Sequence, residues 1–279
     1  MICSDGVFHA TGQDQGHKIS NWMISSEGVS VIIPNWNHEF FLPRSISTAL
    51  ETVRQLSTHG IDGEVIVVDD HSRDGSSTLL RQLEAMYYRA GLRVFLQPRN
   101  MGLGHVRNKA LELARYRYIA VLDADNELIP ENIHQFVKAI RETNAAIVFG
   151  NLITVSGNET GVRGNQSLDH EIFEKNYIDA CALVNRDQLI QMGGYVTDAA
   201  LFGYEDWEMN LHLASNGRKV IHMPLEFGRY YRLPESMIRG ADIRHGQTMR
   251  RISRIFNQVG IRKTMPSNTF RLVYHPEKK

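Results

Sequence analysis

With 42% hydrophobic and 22% charged side chains, the 279 residues have the make-up of a globular protein, long enough for one large α/β domain or two small ones. The two cysteines, Cys3 and Cys181, are far apart and form no C-x-x-C pair, which argues against a disulfide scaffold or zinc knuckle and fits a reducing compartment. No apolar run reaches the length of a membrane span and no secretory signal is read at the N-terminus, so a soluble, cytoplasmic chain is expected.

Residues 1–28 are polar, with little periodicity, and read as an N-terminal arm. Val29–Ile33 is a short β-branched strand that Pro34 should stop; Phe41–Ser57 has helical spacing. Glu64–Val68 is a buried-type strand, Gly75–Arg89 a helix and Leu92–Leu96 a strand. Gly102–Tyr116 reads as a helix, Tyr118–Leu122 as a strand, and Pro130–Glu142 as a helix with proline in its first turn. Beyond residue 145 the alternation breaks down. Ala146–Val155 is one strand or two, Asn158–Gln166 is loop-like, Arg186–Met192 and Glu205–Ser215 are helices, and Lys219–His222 is a short strand. Residues 240–258 form a basic amphipathic helix, with Met249, Ile252, Ile255 and Phe256 on one face.

The formal charge is zero, with 31 Lys and Arg against 31 Asp and Glu, but it is unevenly spread. From Arg229 to Lys279 twelve Lys and Arg face three acids, Glu235, Asp242 and Glu277. A basic tail on an acidic body suits an anionic partner or a solvated surface helix, and composition does not choose between them.

Alternating apolar strands and helices predict an α/β fold whose mostly parallel sheet is covered on both faces, with ligands at the carboxyl ends of the strands. Those ends carry Pro34-Asn35-Trp36-Asn37, Asp69-Asp70-His71-Ser72 and Asp123-Ala124-Asp125-Asn126. In Asp123-x-Asp125 one carboxylate can reach a divalent metal while the other reaches a sugar hydroxyl, although such a pair can also be two exposed turn acids. Asp69 and Asp70 would repel each other unless a nucleobase or ribose supplied donors; a helix cap from Ser72 or Asp74 would not need both. Arg99-Asn100-Met101-Gly102-Leu103-Gly104 is a glycine-containing turn that can cradle phosphate, with Arg107 as a cation. Arg107 occupies the place of the third glycine of a dinucleotide-binding turn, so that reading is rejected. Glu205 and Asp206 open a helix, either as dipole-capping acids or as a general base.

Six segments in order resemble the inverting glycosyltransferases of family 2, which have the GT-A fold. They are Val29-Ser30-Val31-Ile32-Ile33-Pro34, Val67-Val68-Asp69-Asp70-His71-Ser72-Arg73-Asp74-Gly75-Ser76, Asn100-x-Gly102-x-x-x-x-Arg107-Asn108, Leu122-Asp123-Ala124-Asp125, Gly193-Gly194-Tyr195 and Glu205-Asp206-Trp207-Glu208. The resemblance implies a Rossmann-like, mostly parallel central sheet flanked by helices, with a smaller acceptor-side subregion. It implies a GT-A domain over 29–237, a nucleotide-binding half at 29–126, an acceptor-binding half at 127–237 and a basic helical extension at 238–279. Pro34 and Asn35 would line the base pocket, and Asp69 with Asp70 would bind the base. Arg99, Asn100 and Arg107 would lie near base, ribose or diphosphate. Asp123 would bind ribose, Asp125 the metal (Mn²⁺ or Mg²⁺), and Asp206, beside Glu205, would be the catalytic base. Arg232, in Tyr230-Tyr231-Arg232-Leu233-Pro234-Glu235, would stabilise leaving-group charge. The third metal ligand is open among His222, Glu226 and His245.

The reaction expected is transfer from a nucleotide-diphosphate sugar, uridine being the commonest base in the resembling family, to an acceptor hydroxyl in surface polysaccharide or glycoconjugate synthesis. The partners are then the donor and a saccharide or lipid-linked acceptor, without nucleic acid. The basic helix offers peripheral contact with the inner face of a membrane. A nucleotidyltransferase would want a Gly-rich, Lys-containing loop after the first strand, and Pro34–His38 has neither residue. A non-catalytic carbohydrate- or nucleotide-binding relative would be favoured by loss of Asp125 or Asp206, and both are present.

Overall fold

A computed structural model describes residues 26–157, 159–164, 176–197 and 203–232. The basic helix expected at 240–258, and His245, lie outside the described residues. Nine strands form one sheet: β1 (Ser26–Asn35), β2 (Gly63–Asp69), β3 (Leu92–Leu96), β4 (Tyr116–Val121), β5 (Glu127–Leu128), β6 (Ile147–Ser156), β7 (Glu159–Arg163), β8 (Leu183–Asn185) and β9 (Val220–Tyr231). The helices are α1 (Leu42–Thr58), α2 (Ser76–Tyr87), α3 (Leu103–Leu113), α4 (Ile133–Thr143), α5 (Arg186–Gln191) and α6 (Glu205–Ser215). Spatial order is β3-β2-β1-β4-β8-β6-β9-β5, with β7 paired to β6.

The first half is wholly parallel: β1 lies between β2 and β4, and β3 flanks β2. Strand periodicity sends alternate side chains to opposite faces. Val31 and Ile33 therefore join one core, with Leu42 and Ile46 of α1 and Phe136 of α4, while Ile32 joins the other, with Val106 of α3 and Trp207 of α6. Helices on both faces explain the near-continuous apolar strands. In the second half β8 runs antiparallel to β4 and β6, and β9 runs parallel to β6. Because β8 is reversed, its amino-terminal lead lies at the edge where the parallel strands have their carboxyl ends. Among the described residues no helix is long and apolar enough to cross a membrane.

The structure departs from the sequence-based elements in several places, and β5 and β8 are not among the expected strands at all. β1 continues through Pro34 to Asn35. Its pairing with β4 ends at Ile32, so the proline faces only β2, and a missing N–H is tolerated on that open side. The helix expected to reach Tyr116 ends at Leu113, where Ala114 turns extended and Tyr116 starts β4. Residues 159–163, expected as loop, form β7; pairing with β6 overrides an exposed and polar composition. β9 extends to Tyr231 through Pro224, which falls in an irregular stretch of the β6–β9 register and so breaks no regular ladder.

Candidate active site

The loops after β1 and β2 are locked together before any ligand is considered. Asn35, 2% exposed, donates from Nδ2 to Asp69 Oδ1 at 2.7 Å. Asp69 also accepts from the Ser72 hydroxyl at 2.5 Å and from the Ser72 main chain at 3.0 Å. Asn37 makes further bonds across the gap: its N–H donates to Ser72 Oγ (2.9 Å), and Arg73 N–H donates to its Oδ1 (2.7 Å). Both Asn37 and His71 take left-handed backbone angles, φ 57° and 58°. The cap offered by Asp74 is partly realised, since its carboxylate accepts from Ser76 N–H at 3.0 Å. Trp36, beside these loops, is 45% exposed.

Asp70 faces away from Asp69. Its two carboxylate oxygens accept from the main-chain N–H groups of Met101 (2.7 Å) and Gly102 (2.8 Å), while Asn100 Nδ2 donates to the Asp70 carbonyl at 3.0 Å. The expected repulsion between the two acids is thus answered from within the protein, each having its own donors. Arg99 is exposed and its Nε lies 3.1 Å from the Met101 sulfur.

Arg107 is the buried centre of the site, 3% exposed. Its Nη2 donates to Asp123 Oδ1 at 3.1 Å, and its guanidinium lies 5.4 Å from the Tyr195 ring centroid. Burial opposes its charge, but Asp123, Tyr195, Asp206 and Glu205 outweigh that and hold it firmly protonated. One residue on, Asn108 grips the Gly193-Gly194-Tyr195 turn by two bonds: Tyr195 N–H donates to its Oδ1 and its Nδ2 donates to the Tyr195 carbonyl, both at 2.8 Å. Gly194 has φ 74°, and a Cβ there would press on Asn108 Oδ1 at 2.5 Å. Asn108→Ala strands two main-chain groups of this turn, so a loss of about 2–3 kcal/mol is expected. That is a fall in melting temperature of about 4–12 °C by calorimetry; a shift below a degree would mean the turn is held elsewhere.

Asp125 is half-buried and forms no ion pair among the described residues. Burial first, and the neighbouring Asp123 charge second, push its carboxyl up to about 7. Its loop is fixed by Arg44 of α1, whose Nη2 donates to the Asp125 carbonyl at 2.6 Å and whose Nε lies 3.2 Å from Glu127 Oε1. The same guanidinium lies 3.6 Å from the Tyr231 ring centroid; the Tyr231 hydroxyl donates to Glu127 at 2.9 Å and its N–H to Asn126 Oδ1 at 3.0 Å. Arg44→Met keeps the stem but removes every donor. The protein should lose about 1–2 kcal/mol, a fall of about 2–8 °C in melting temperature by calorimetry. An unchanged melting temperature would show that the loop holds its shape without the clasp.

Asp206 opens α6. Its carboxylate accepts from Trp207 N–H at 2.8 Å and from Asn176 Nδ2 at 3.2 and 3.3 Å. Burial raises its pKa against the pull of Arg107 and the Asn176 bond. Glu205, 5% exposed, accepts from Gly203 N–H at 2.9 Å, and burial raises it too. Asp179, in the lead into β8, is a further acid that the sequence reading missed: burial, then Asp123, push it up to about 6. Arg107 therefore links what the sequence placed apart, with Asp123 and the Asp125 loop on one side and Glu205 and Asp206 on the other.

Other candidates lie elsewhere. Arg232 is exposed at the end of β9, its N–H bonded to Val155 O at 2.9 Å. His222 Nε2 lies 3.0 Å from Asn151 Oδ1, its ring 5.1 Å from that of Phe149. The Glu226 carbonyl accepts from Asn132. Among the described residues no group of three His, Cys, Asp or Glu is placed to hold a metal.

Comparison with known proteins gives the fold and the family. The chain is 30% identical over 170 residues to TuaG of Bacillus subtilis (strain 168), named for glycosyl transfer in teichuronic acid biosynthesis, matching 59% of this chain and 64% of TuaG. It is 30% identical over 128 residues to the succinoglycan biosynthesis protein ExoO of Rhizobium meliloti (strain 1021), matching 46% of this chain and 34% of ExoO. The matched span is thus less than two thirds of either relative. The fold superposes on residues 1–349 of S. aureus TarS in complex with UDP-GlcNAc with a TM-score of 0.67 at 18% identity, covering 86% of this chain and 68% of that one. It also superposes on the mannosyltransferase PcManGT of Pyrobaculum calidifontis, in complex with GDP-Man and Mn²⁺, at TM-score 0.61 and 18% identity, covering 87% and 68%. These likenesses establish the GT-A fold. The profile of Glycosyl transferase family 2 matches residues 30–205, more than half of the chain, with both the Asp69–Asp70 and Asp123–Asp125 strand ends inside the match, and the chain belongs to that family of glycosyltransferases.

Proposed function

We propose that the chain transfers a sugar from a uridine-diphosphate donor to an acceptor hydroxyl in polysaccharide or glycoconjugate synthesis, with inversion and with Asp206 as the base. The observation that carries this reading is the buried Arg107, which binds Asp123 and acts on Glu205 and Asp206. A cation there sets the donor-side acid beside the base. Relatives named for teichuronic acid and succinoglycan biosynthesis, and a fold neighbour bound to UDP-GlcNAc, support the substrate class.

The chain from the start of β1 to residue 126 is assigned to the donor and 127–237 to the acceptor; the arm expected at 1–28 is shortened because Ser26–Gly28 belong to β1, and 238–279 is a basic extension able to touch an anionic membrane. Trp36, Pro34 and Asn35 face the base. Asp69 reaches it through the edge left by its internal bonds, while Asp70 acts by holding the Asn100–Gly102 turn. Asp123 is assigned to the ribose, and the exposed Arg99 and Arg232 to the diphosphate.

A divalent ion fits Asp125. Its carboxylate has no cationic side chain paired to it, and an Mg²⁺ or Mn²⁺ held by one or two carboxylates takes its remaining oxygens from phosphate and water. When bound, such an ion neutralises charge on the departing diphosphate. Arg44 keeps the Asp125 loop in place, Arg107 orients Asp123, and Asp206 receives the acceptor proton as the hydroxyl attacks the anomeric carbon from the face opposite the leaving group.

A thermal-shift panel of UDP, GDP, dTDP and CDP, each with Mn²⁺, Mg²⁺ or EDTA, tests the reading. Ligand at 100 times its Kd adds about 2.7 kcal/mol. A shift with UDP that needs the metal and vanishes in Asp125→Ala is expected; no shift with any nucleotide would overturn the reading in favour of a non-catalytic relative.

A further inference from the structure

The lead into β8 and the first turns of α6 are fastened to each other at two points. Asn176 Nδ2 donates to both carboxylate oxygens of Asp206, at 3.2 Å to Oδ1 and 3.3 Å to Oδ2, and Asn210 Nδ2 donates to the Ile178 carbonyl at 3.3 Å. Asp206 and Asn210 are four residues apart on α6 and so share one helix face. Ile178 and Asn210 are 2% and 1% exposed, and Ile178 belongs to the same core cluster as Trp207. The lead therefore runs along α6 as a packed rail, and this rail brings the Asn176 amide to the base. The two oxygens of Asp206 are not equivalent. Oδ1 also accepts from Trp207 N–H at 2.8 Å, a bond supplied by the helix backbone. Among the described residues Oδ2 has Asn176 as its only donor. The amide has to present Nδ2, because its carbonyl oxygen would repel a carboxylate. That orientation leaves Asn176 Oδ1 buried without a partner. A buried acceptor without a donor costs stability, and an apolar side chain would avoid that loss. What an apolar side chain could not supply is the bond to Asp206.

We propose that Asn176 is a positioning residue for the base: its amide aims the Asp206 carboxylate and leaves Oδ2 as the oxygen that takes the acceptor's proton. The proposal rests on the reading of Asp206 as base. In the transfer the acceptor oxygen bonds the anomeric carbon, the diphosphate departs with the electron pair of the broken bond, and the proton passes to Oδ2. Oδ1 keeps its main-chain donor throughout, so the carboxylate does not turn as it is protonated. The same amide helps to keep the base charged. Burial disfavours the ionised form; Arg107 opposes burial first and the Asn176 bond next. Arg107 also gives Nη2 to Asp123, so its pull is shared, whereas the Asn176 donor serves Asp206 alone. A donor to the charged form lowers the pKa of a carboxyl, so removing it raises the pH at which Asp206 becomes a base.

The test is the titration of Asp206, followed by carbon-13 NMR of its carboxyl in the full chain labelled at aspartate. The resonance is assigned by its absence from Asp206→Asn. In Asn176→Leu, which keeps the volume and loses the donor, the Asp206 midpoint should lie about one pH unit above wild type, the size of one hydrogen bond to a charged group. Asn176→Asp, of the same shape but with a like charge at the carboxylate, should raise it further. The titration needs no substrate, so it does not depend on the choice of donor sugar. The acid limb of kcat, read as UDP released from UDP-GlcNAc, should move up with the midpoint. Activity then falls about ten-fold below the limb and recovers above it, while KM stays within about two-fold. Melting temperature and the UDP–Mn²⁺ shift should be retained. A merely structural contact would lower stability or kcat at every pH without moving the titration, and an unmoved midpoint in both variants would overturn the proposal. A midpoint that moves while the kcat profile stays put would instead strike at Asp206 as the base, which Asp206→Asn reports independently.

Discussion

Asp206→Asn should lower kcat for sugar transfer, followed as release of nucleoside diphosphate, by about 10²–10⁴-fold, the usual contribution of a positioned general base. UDP affinity should stay within about two-fold, since the substitution removes a proton acceptor and not a donor-binding group. The fold should not suffer. Burial already disfavours the Asp206 charge, and Asn176 Oδ1, buried without a partner, can accept from the new amide if the pair rearranges. A melting temperature equal to or above wild type is therefore the accompanying result. The pH profile follows from the same shift: a base works deprotonated, so wild-type kcat rises with pH through the raised Asp206 pKa and levels off above it. A kcat within ten-fold of wild type would remove Asp206 from the chemistry, and Glu205 would be the next carboxylate to test.

The second large effect concerns Asp125. In metal-free protein its carboxyl is pushed up to about 7, against about 3.9 in an unfolded chain. The folded state then binds more protons between those values, so this group's contribution to stability falls as pH rises from about 4 to 7. Asn cannot ionise, so metal-free Asp125→Asn should match wild type near pH 4 and exceed it above pH 7. After allowance for solvent at a half-buried site the gap is about 2 kcal/mol, or about 4–8 °C in melting temperature. Comparing the pair at each pH cancels the histidines His38, His134, His212 and His222, whose lowered pKa values act in the opposite direction. Adding Mn²⁺ and UDP should reverse the order, stabilising wild type alone. Parallel pH curves for the two proteins, or an equal metal response, would reject Asp125 as the ligand.

The parallel half of the fold was legible because its signals are local. Apolar strands, helix spacing and acids at strand ends fall within short windows, and the strand-end rule led directly to Asp69, Asp70, Asp123 and Asp125. Where reading failed, the determinant was distant in sequence. β7 is polar and exposed and becomes a strand only because β6 lies beside it. Asp179 escaped notice because β8 was not recognised, and only a reversed strand brings its leading residues to the ligand edge. Arg44 reaches Asp125 across 81 positions and Asn108 reaches Tyr195 across 87, so no window could connect them. Asp70 shows the opposite lesson: a motif residue can be correctly located while its carboxylate serves the backbone of a neighbouring turn.

Among the described residues the short strand β5 pairs only with β9, Glu127 opposite Arg229 and Leu128 opposite Gly228. During synthesis from the amino terminus the four parallel strands, complete by Val121, can associate while the ribosome is still making the second half. The Asp125 loop can meet Arg44 of α1 early, but Glu127 and Asn126 gain their remaining partners only with residues 229–231. A nascent chain would thus bring together the strand ends bearing Asp69 and Asp70 early and complete the bonds around the Asp125 loop last, so that a prematurely terminated product keeps the former and lacks the latter.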